Sequence, residues 1–128
     1  MKFTNVVLID DDRDDQELFI EATKEICSTI QCKTYFAAEI ALQELTEKID
    51  IPDAIFLDLN MPRMNGIEFL ELIGKIPKLS ETPIFVYSTT NYMEICRQRI
   101  QLVAAQCILK PDNYRDLINI LRGIYTPL

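Results

Sequence analysis

Residues 52–66, PDAIFLDLNMPRMNG, decide the fold of this 128-residue chain. Ala54, Ile55, Phe56 and Leu57 form an unbroken apolar run, the pattern of a short strand buried on both faces, and Asp58 closes it with a carboxylate. Asn60, Pro62, Asn65 and Gly66 then supply turn chemistry. Asp58 is therefore expected at the carboxyl end of a central strand, the edge of an open α/β sheet where ligands bind. A lone Asp in that position reads as a turn or helix cap. Its companions elsewhere in the chain reverse that reading.

Upstream, residues 6–9 (VVLI) repeat the design: a short β-branched run that ends at three successive carboxylates, Asp10, Asp11 and Asp12. The period then changes. Leu18, Phe19, Ala22 and Ile26 recur at helical spacing, which predicts a helix over 13–28 with acidic residues in the first turn, where the helix dipole favours them. Residues 33–36 are a weaker strand candidate, and Ala38, Ala41, Leu42, Leu45 and Ile49 mark one face of a second helix before Pro52.

Downstream, a third helix follows Gly66 through Leu70 and Ile73 and stops near Pro77. Residues 84–87 form another apolar strand, followed by Ser88, Thr89 and Thr90. A fourth helix is expected over about 92–104, with Met93, Cys96, Ile100 and Val103 on one face and Arg97 and Arg99 among its polar positions. The last strand, 107–109, is closed by Lys110 and Pro111, and Asp112 or Asn113 can cap a final helix carrying Leu117, Ile118, Leu121 and Ile124.

Five strands alternating with five helices demand a parallel five-stranded sheet covered on both faces, because each right-handed crossover must hold a helix. The expected fold is a three-layer, doubly wound (βα)5 α/β domain spanning 1–128, with no output domain.

Composition narrows the function. A formal charge of −7 with only 13 scattered basic residues disfavours nucleic acid and anionic membrane as partners. The N-terminus turns acidic after a short apolar run, unlike a signal peptide, and no apolar stretch approaches a membrane span; a cytoplasmic protein is expected. Cys27, Cys32, Cys96 and Cys107 form no CxxC pair and read as small core residues of a reducing compartment. With no His, chemistry must run on carboxylates, hydroxyls and Lys.

The polar residues that close the strands make a constellation: Asp10 and Asp11, Asp58, Ser88 and Lys110 all fall at one sheet edge. Clustered carboxylates call for a cation, and a sparse oxygen-only donor set suits Mg²⁺. A magnesium ion, a hydroxyl and an ammonium around one carboxylate form a receptor for a phosphoryl group, which the carboxylate can accept as an acyl phosphate.

The ordered set of Asp10-Asp11, Asp58-Leu-Asn-Met-Pro62 through Gly66, Ser88, and Lys110-Pro111 resembles the CheY-like receiver domain of two-component response regulators. Ser88 follows Asp58 by 30 residues and Lys110 follows it by 52, as in that family. The resemblance implies the flavodoxin-like strand order 2-1-3-4-5. It implies Asp58 as phosphoacceptor, Asp11 and Asp58 as direct Mg²⁺ ligands, Asp10 acting largely through water, and the backbone carbonyl of Asn60 completing the set. Ser88 would bond a phosphoryl oxygen and Lys110 would pair with the phosphorylated or free carboxylate. Asp12 is left as a helix N-cap.

As partners, the resemblance implies a sensor histidine kinase or histidine phosphotransfer protein as donor. It also implies a downstream effector that reads the face of helix four, strand five and helix five, where Tyr92, Arg97, Arg99 and Tyr114 fall. The sequence departs from the family at Cys107, where an aromatic that swings with the hydroxyl is usual, and at Thr89, where a smaller residue is usual. Cys107 keeps open a phosphorylation-independent docking module. An Mg²⁺-dependent phosphohydrolase with an Asp nucleophile is a further alternative, but its usual second Asp, two residues on, is Asn60 here.

Overall fold

The computed structural model describes residues 3–48, 50–59, 66–89 and 105–126. Five strands, β1 (Asn5–Ile9), β2 (Gln31–Tyr35), β3 (Ala54–Leu57), β4 (Ile84–Ser88) and β5 (Ala105–Leu109), form one sheet in the order β2-β1-β3-β4-β5, with every pairing parallel. The expected doubly wound architecture and its strand order are both observed. Between the strands lie α1 (Arg13–Ile26), α2 (Ala38–Glu47), α3 (Gly66–Ile73) and a 3-10 turn at Pro77–Leu79, and a C-terminal helix (Tyr114–Tyr125) closes the fold. The helix expected over 92–104 lies outside the described residues, as do Asn60, Thr90, Tyr92, Cys96, Arg97 and Arg99.

Side-chain alternation along the buried strands divides the interior into two layers. Val7, Ile9, Ile55, Leu57 and Val86 face α2 and α3, meeting Ala38, Ala41, Leu45, Phe69, Leu70 and Ile73. Val6, Leu8, Phe56, Phe85 and Tyr87 face α1 and the C-terminal helix, meeting Phe19, Ala22, Leu117, Ile118 and Leu121. Phe56 centres the second layer, edge-on to Phe19 at 4.9 Å and stacked on Phe85 at 5.0 Å. Truncating so large and fully buried a ring to Ala costs about 3–5 kcal/mol.

Several local expectations need correction. The buried face of α1 comprises Gln16, Phe19, Ala22 and Thr23, whereas Leu18 is 43% exposed, since the helix turns it toward the rim of the layer. β2 starts two residues earlier than expected and stops at Tyr35, leaving Phe36 in the following bend, 51% exposed. Cys27, Cys32 and Cys107 are half-buried at the margins of the core rather than inside it, and no disulfide joins these described cysteines.

Register places the functional edge. Ile9 pairs with Leu57, and the Asp58 amide donates to the Ile9 carbonyl at 2.9 Å, so Asp10 and Asp58 leave neighbouring strands at one level. Ser88 pairs with Leu109, which delivers Lys110 to the same edge.

Candidate functional site

The three consecutive carboxylates after β1 have three different fates. Asp10 is fully buried; its Oδ1 accepts the Asp12 amide at 2.9 Å, and its own amide donates to the Tyr35 carbonyl at 3.0 Å. Asp11 is exposed at the edge. Asp12 is the N-cap of α1, its Oδ1 accepting the Asp15 amide at 3.1 Å, as the sequence anticipates. Carboxylate oxygens of Asp10, Asp11 and Asp58 all lie within 4.8 Å of one another.

Lys110 faces this cluster. Its Nζ is 2.7 Å from Asp15 Oδ2, 2.9 Å from Asp10 Oδ2 and 3.5 Å from Asp58 Oδ2. The ammonium also sits 5.3 Å from the centre of the buried Tyr87 ring, a favourable placement over a π face. Desolvation of Lys110 opposes its charge, but the hydrogen bonds it donates to Asp15 and Asp10 outweigh it and push the ammonium pKa above its ordinary range.

Asp10 moves the other way. Burial is the largest influence and raises its pKa from 3.8 to about 6; the Lys110 and Asp12 hydrogen bonds pull against burial, while the Asp58 charge adds to it. A carboxylate so placed gains from a second positive charge beside it. The donor set fits magnesium: oxygen atoms only, close together, with Asp11 opening one side to water.

Ser88 is fully buried at the end of β4, and among the described residues its Oγ has no hydrogen-bond partner. Buried hydroxyls are rarely left so, and a polar atom on an incoming ligand would satisfy it. Thr89 beside it is exposed. Cys107 packs against the α2–α3 layer and Tyr87 against Phe19 in the opposite one, as strand alternation requires.

Two participants escaped the sequence reading. The sequence assigns Asp15 only to the helix dipole, yet it makes the shortest ion pair to Lys110, a partner 95 positions away that no local pattern marks. Gln16 is buried in α1, and its Nε2 donates to the carbonyls of Asp10 at 2.6 Å and Tyr35 at 3.1 Å, clamping β1 to β2 just below the cluster.

This sheet edge, with its carboxylates, lysine and buried hydroxyl, is that of a two-component receiver, and the match to the family model confirms the class: the response regulator receiver domain model aligns with residues 6–122, so the chain belongs to that family. Among its relatives is response regulator Rcp1 of Synechocystis sp. (strain ATCC 27184 / PCC 6803 / Kazusa), 29% identical over 126 residues that cover 93% of this chain and 84% of Rcp1. The protein-glutamate methylesterase/protein-glutamine glutaminase 2 of Burkholderia thailandensis is 30% identical over 129 residues; the match covers 92% of this chain but only 35% of that protein.

Solved structures agree. The phosphorylated cyanobacterial phytochrome response regulator RcpA superposes with a TM-score of 0.80 at 26% identity, covering 95% of this chain and 91% of RcpA. The chemotaxis response regulator CheY4 of Vibrio cholerae gives a TM-score of 0.79 at 23% identity, covering 96% of this chain and 99% of CheY4, a likeness of fold. Receiver domains serve phosphorelay signalling, generally bind Mg²⁺ in an acidic pocket, and work with histidine kinases and downstream effectors. No helix among the described residues is long and apolar enough to cross a membrane.

Proposed function

We propose that this receiver is a phosphorylation switch in which Asp58 accepts a phosphoryl group from a phosphohistidine on a sensor histidine kinase or histidine phosphotransfer protein. The observation that carries the reading is the convergence of Asp58, Asp10, Asp11 and Lys110 at one edge beside the partnerless hydroxyl of Ser88. In the transfer, an Asp58 carboxylate oxygen bonds to phosphorus as the phosphorus–nitrogen bond of the donor breaks. The donor imidazole, protonated on its other nitrogen, leaves neutral. Lys110 pairs with one phosphoryl oxygen and Ser88 Oγ donates to another, so both neutralise charge that builds on the equatorial oxygens. Asp11 and Asp58 directly, Asp10 through water and the Asn60 carbonyl would hold Mg²⁺, which when bound neutralises further phosphoryl charge and lets the anionic donor approach the carboxylates.

The product is a phosphoprotein rather than a released metabolite, so the role is that of a phosphoacceptor and not of a turnover enzyme. An effector would read the change on the face of β5 and the C-terminal helix, where Tyr114 lies. Cys107 is too small to act as a rotating gate, and the signal to that face therefore takes another route. We place this exchange in the cytoplasm, a compartment that suits described cysteines joined by no disulfide.

The test is intact-protein mass after incubation with acetyl phosphate, with and without Mg²⁺, for the native chain and Asp58→Asn. One phosphate-sized gain that needs Mg²⁺ and vanishes in the variant supports the reading. No gain, with acetyl phosphate and with phosphohistidine donors alike, overturns it in favour of docking independent of phosphorylation.

A further inference from the structure

We infer that Asp15 is a positioning residue that tethers the Lys110 ammonium away from Asp58, so that the tether must be loosened before Lys110 can serve a phosphoryl group; the inference rests on the phosphoacceptor role of Asp58. The distances carry it. Lys110 Nζ lies 2.7 Å from Asp15 and 2.9 Å from Asp10, both within hydrogen-bonding range, but 3.5 Å from Asp58, outside that of a charge-assisted bond. Asp10 and Asp58 sit at the ends of adjacent strands and are buried, whereas Asp15 stands in the first turn of α1 with its side chain 36% exposed. The ammonium is thus drawn toward α1 and the rim of the site.

The fold fixes both ends of the tether. The Asp15 amide is held by the Asp12 cap at 3.1 Å, and the next residue, Gln16, is anchored under the cluster by its two carbonyl contacts. At the other end, the Lys110 amide is bound to the Ser88 carbonyl at 2.8 Å. With both backbones held, only the two side chains are left to move. A phosphoryl group on Asp58 brings two negative charges to the far side of Lys110, and these compete with Asp15 for the same ammonium. Asp15 therefore raises the barrier to phosphorylation by withholding the lysine.

The experiment is a double-mutant cycle on the rate of Asp58 phosphorylation by acetyl phosphate and Mg²⁺, using the full chain, Asp15→Asn, Lys110→Ala and the double variant. Asp15→Asn is expected to accelerate phosphorylation about two- to fivefold when Lys110 is present, the scale of one partly exposed ion pair, and to have no such effect on the Lys110→Ala background. Asp15→Glu, which keeps the charge, is expected to restore the slower rate. The same acceleration on both backgrounds would reduce Asp15 to a background charge and overturn the tether, as would an unchanged or slower rate in Asp15→Asn.

A second readout separates this inference from the function it rests on. The Lys110 Nζ resonance of the unphosphorylated protein is expected to shift in Asp15→Asn and to return in Asp15→Glu. An Nζ resonance unmoved by Asp15→Asn overturns the tether even if Asp58 is phosphorylated normally. Failure of the native chain to be phosphorylated by any donor, with the resonance shifting as expected, overturns the switch while leaving the Asp15–Lys110 contact in place.

Discussion

The Lys110 amide donates to the Ser88 carbonyl at 2.8 Å, so the lysine and the hydroxyl-bearing residue are fixed to each other through the backbone of neighbouring strands. Ser88 Oγ is fully buried and without a partner among the described residues, so its position owes nothing to a bond of its own. Such a hydroxyl contributes little to folding and leaves a bonding capacity that a ligand at this edge would fill.

Ser88→Ala should therefore separate stability from function. Urea unfolding is expected to give a midpoint equal to or slightly above that of the native chain, because an unsatisfied buried oxygen is removed. The phosphorylation rate at Asp58 should fall about tenfold, the worth of one hydrogen bond to a charged group. A large loss of stability in this variant would mean that Oγ is already bonded in the folded state.

The burial of Asp10 makes a pH prediction for the protein in chelator. Its pKa is raised from 3.8 to about 6, so the folded state holds this proton more tightly than the unfolded chain. The stability contribution is full below pH 4, declines as pH rises from about 4 to about 6, and stays low above that. Asp10→Asn removes the decline. The stability difference between variant and native should grow across that window to about 3 kcal/mol in favour of the variant, measured by urea titration at a series of pH values. Mg²⁺ should stabilise the native chain more than the variant.

Gln16→Ala tests the clamp beneath the cluster. The variant leaves the Asp10 and Tyr35 carbonyls without the Nε2 donor they share and opens a small void in a buried position. A destabilisation of about 2–3 kcal/mol is expected in urea. Mg²⁺ affinity, read from the same curves, should weaken as Asp10 loosens.

At the opposite edge of the sheet, Asp53 accepts the amides of Thr4 at 2.7 Å and Asn5 at 3.0 Å and the Thr4 hydroxyl at 3.0 Å. Burial pushes its pKa up, but these donors together prevail and hold it below 3.8. Its stabilising effect is present above pH 4 and lost as pH falls through the depressed value, the reverse of Asp10. Asp53→Asn should destabilise at pH 7, by an amount that shrinks as pH falls below 3.8, with phosphorylation of Asp58 unaffected at neutral pH.

Much of this was legible in the sequence because central parallel strands are apolar on both faces. Residues 6–9, 54–57 and 84–87 stand out as runs, and the polar residue that ends each run must lie at the functional edge; Asp10, Asp58 and Ser88 followed directly. The edge strand β2 was weaker because half its side chains meet water, so its start was missed and Phe36 was wrongly included. Leu18 shows the limit of helical periodicity, which gives the direction of a buried face but not its width. Asp15 and Gln16 were missed because their partners are fixed by packing: Asp15 meets a lysine 95 positions away, and Gln16 reaches a carbonyl 19 positions away.

Asp10 and Lys110, 100 positions apart, touch only when the first and last strands occupy the same sheet. No fragment lacking β1, β3, β4 or β5 can assemble the site. Anything that occupies the edge therefore acts as a clasp on the entire domain, protecting it from proteolysis and raising its melting temperature by mass action.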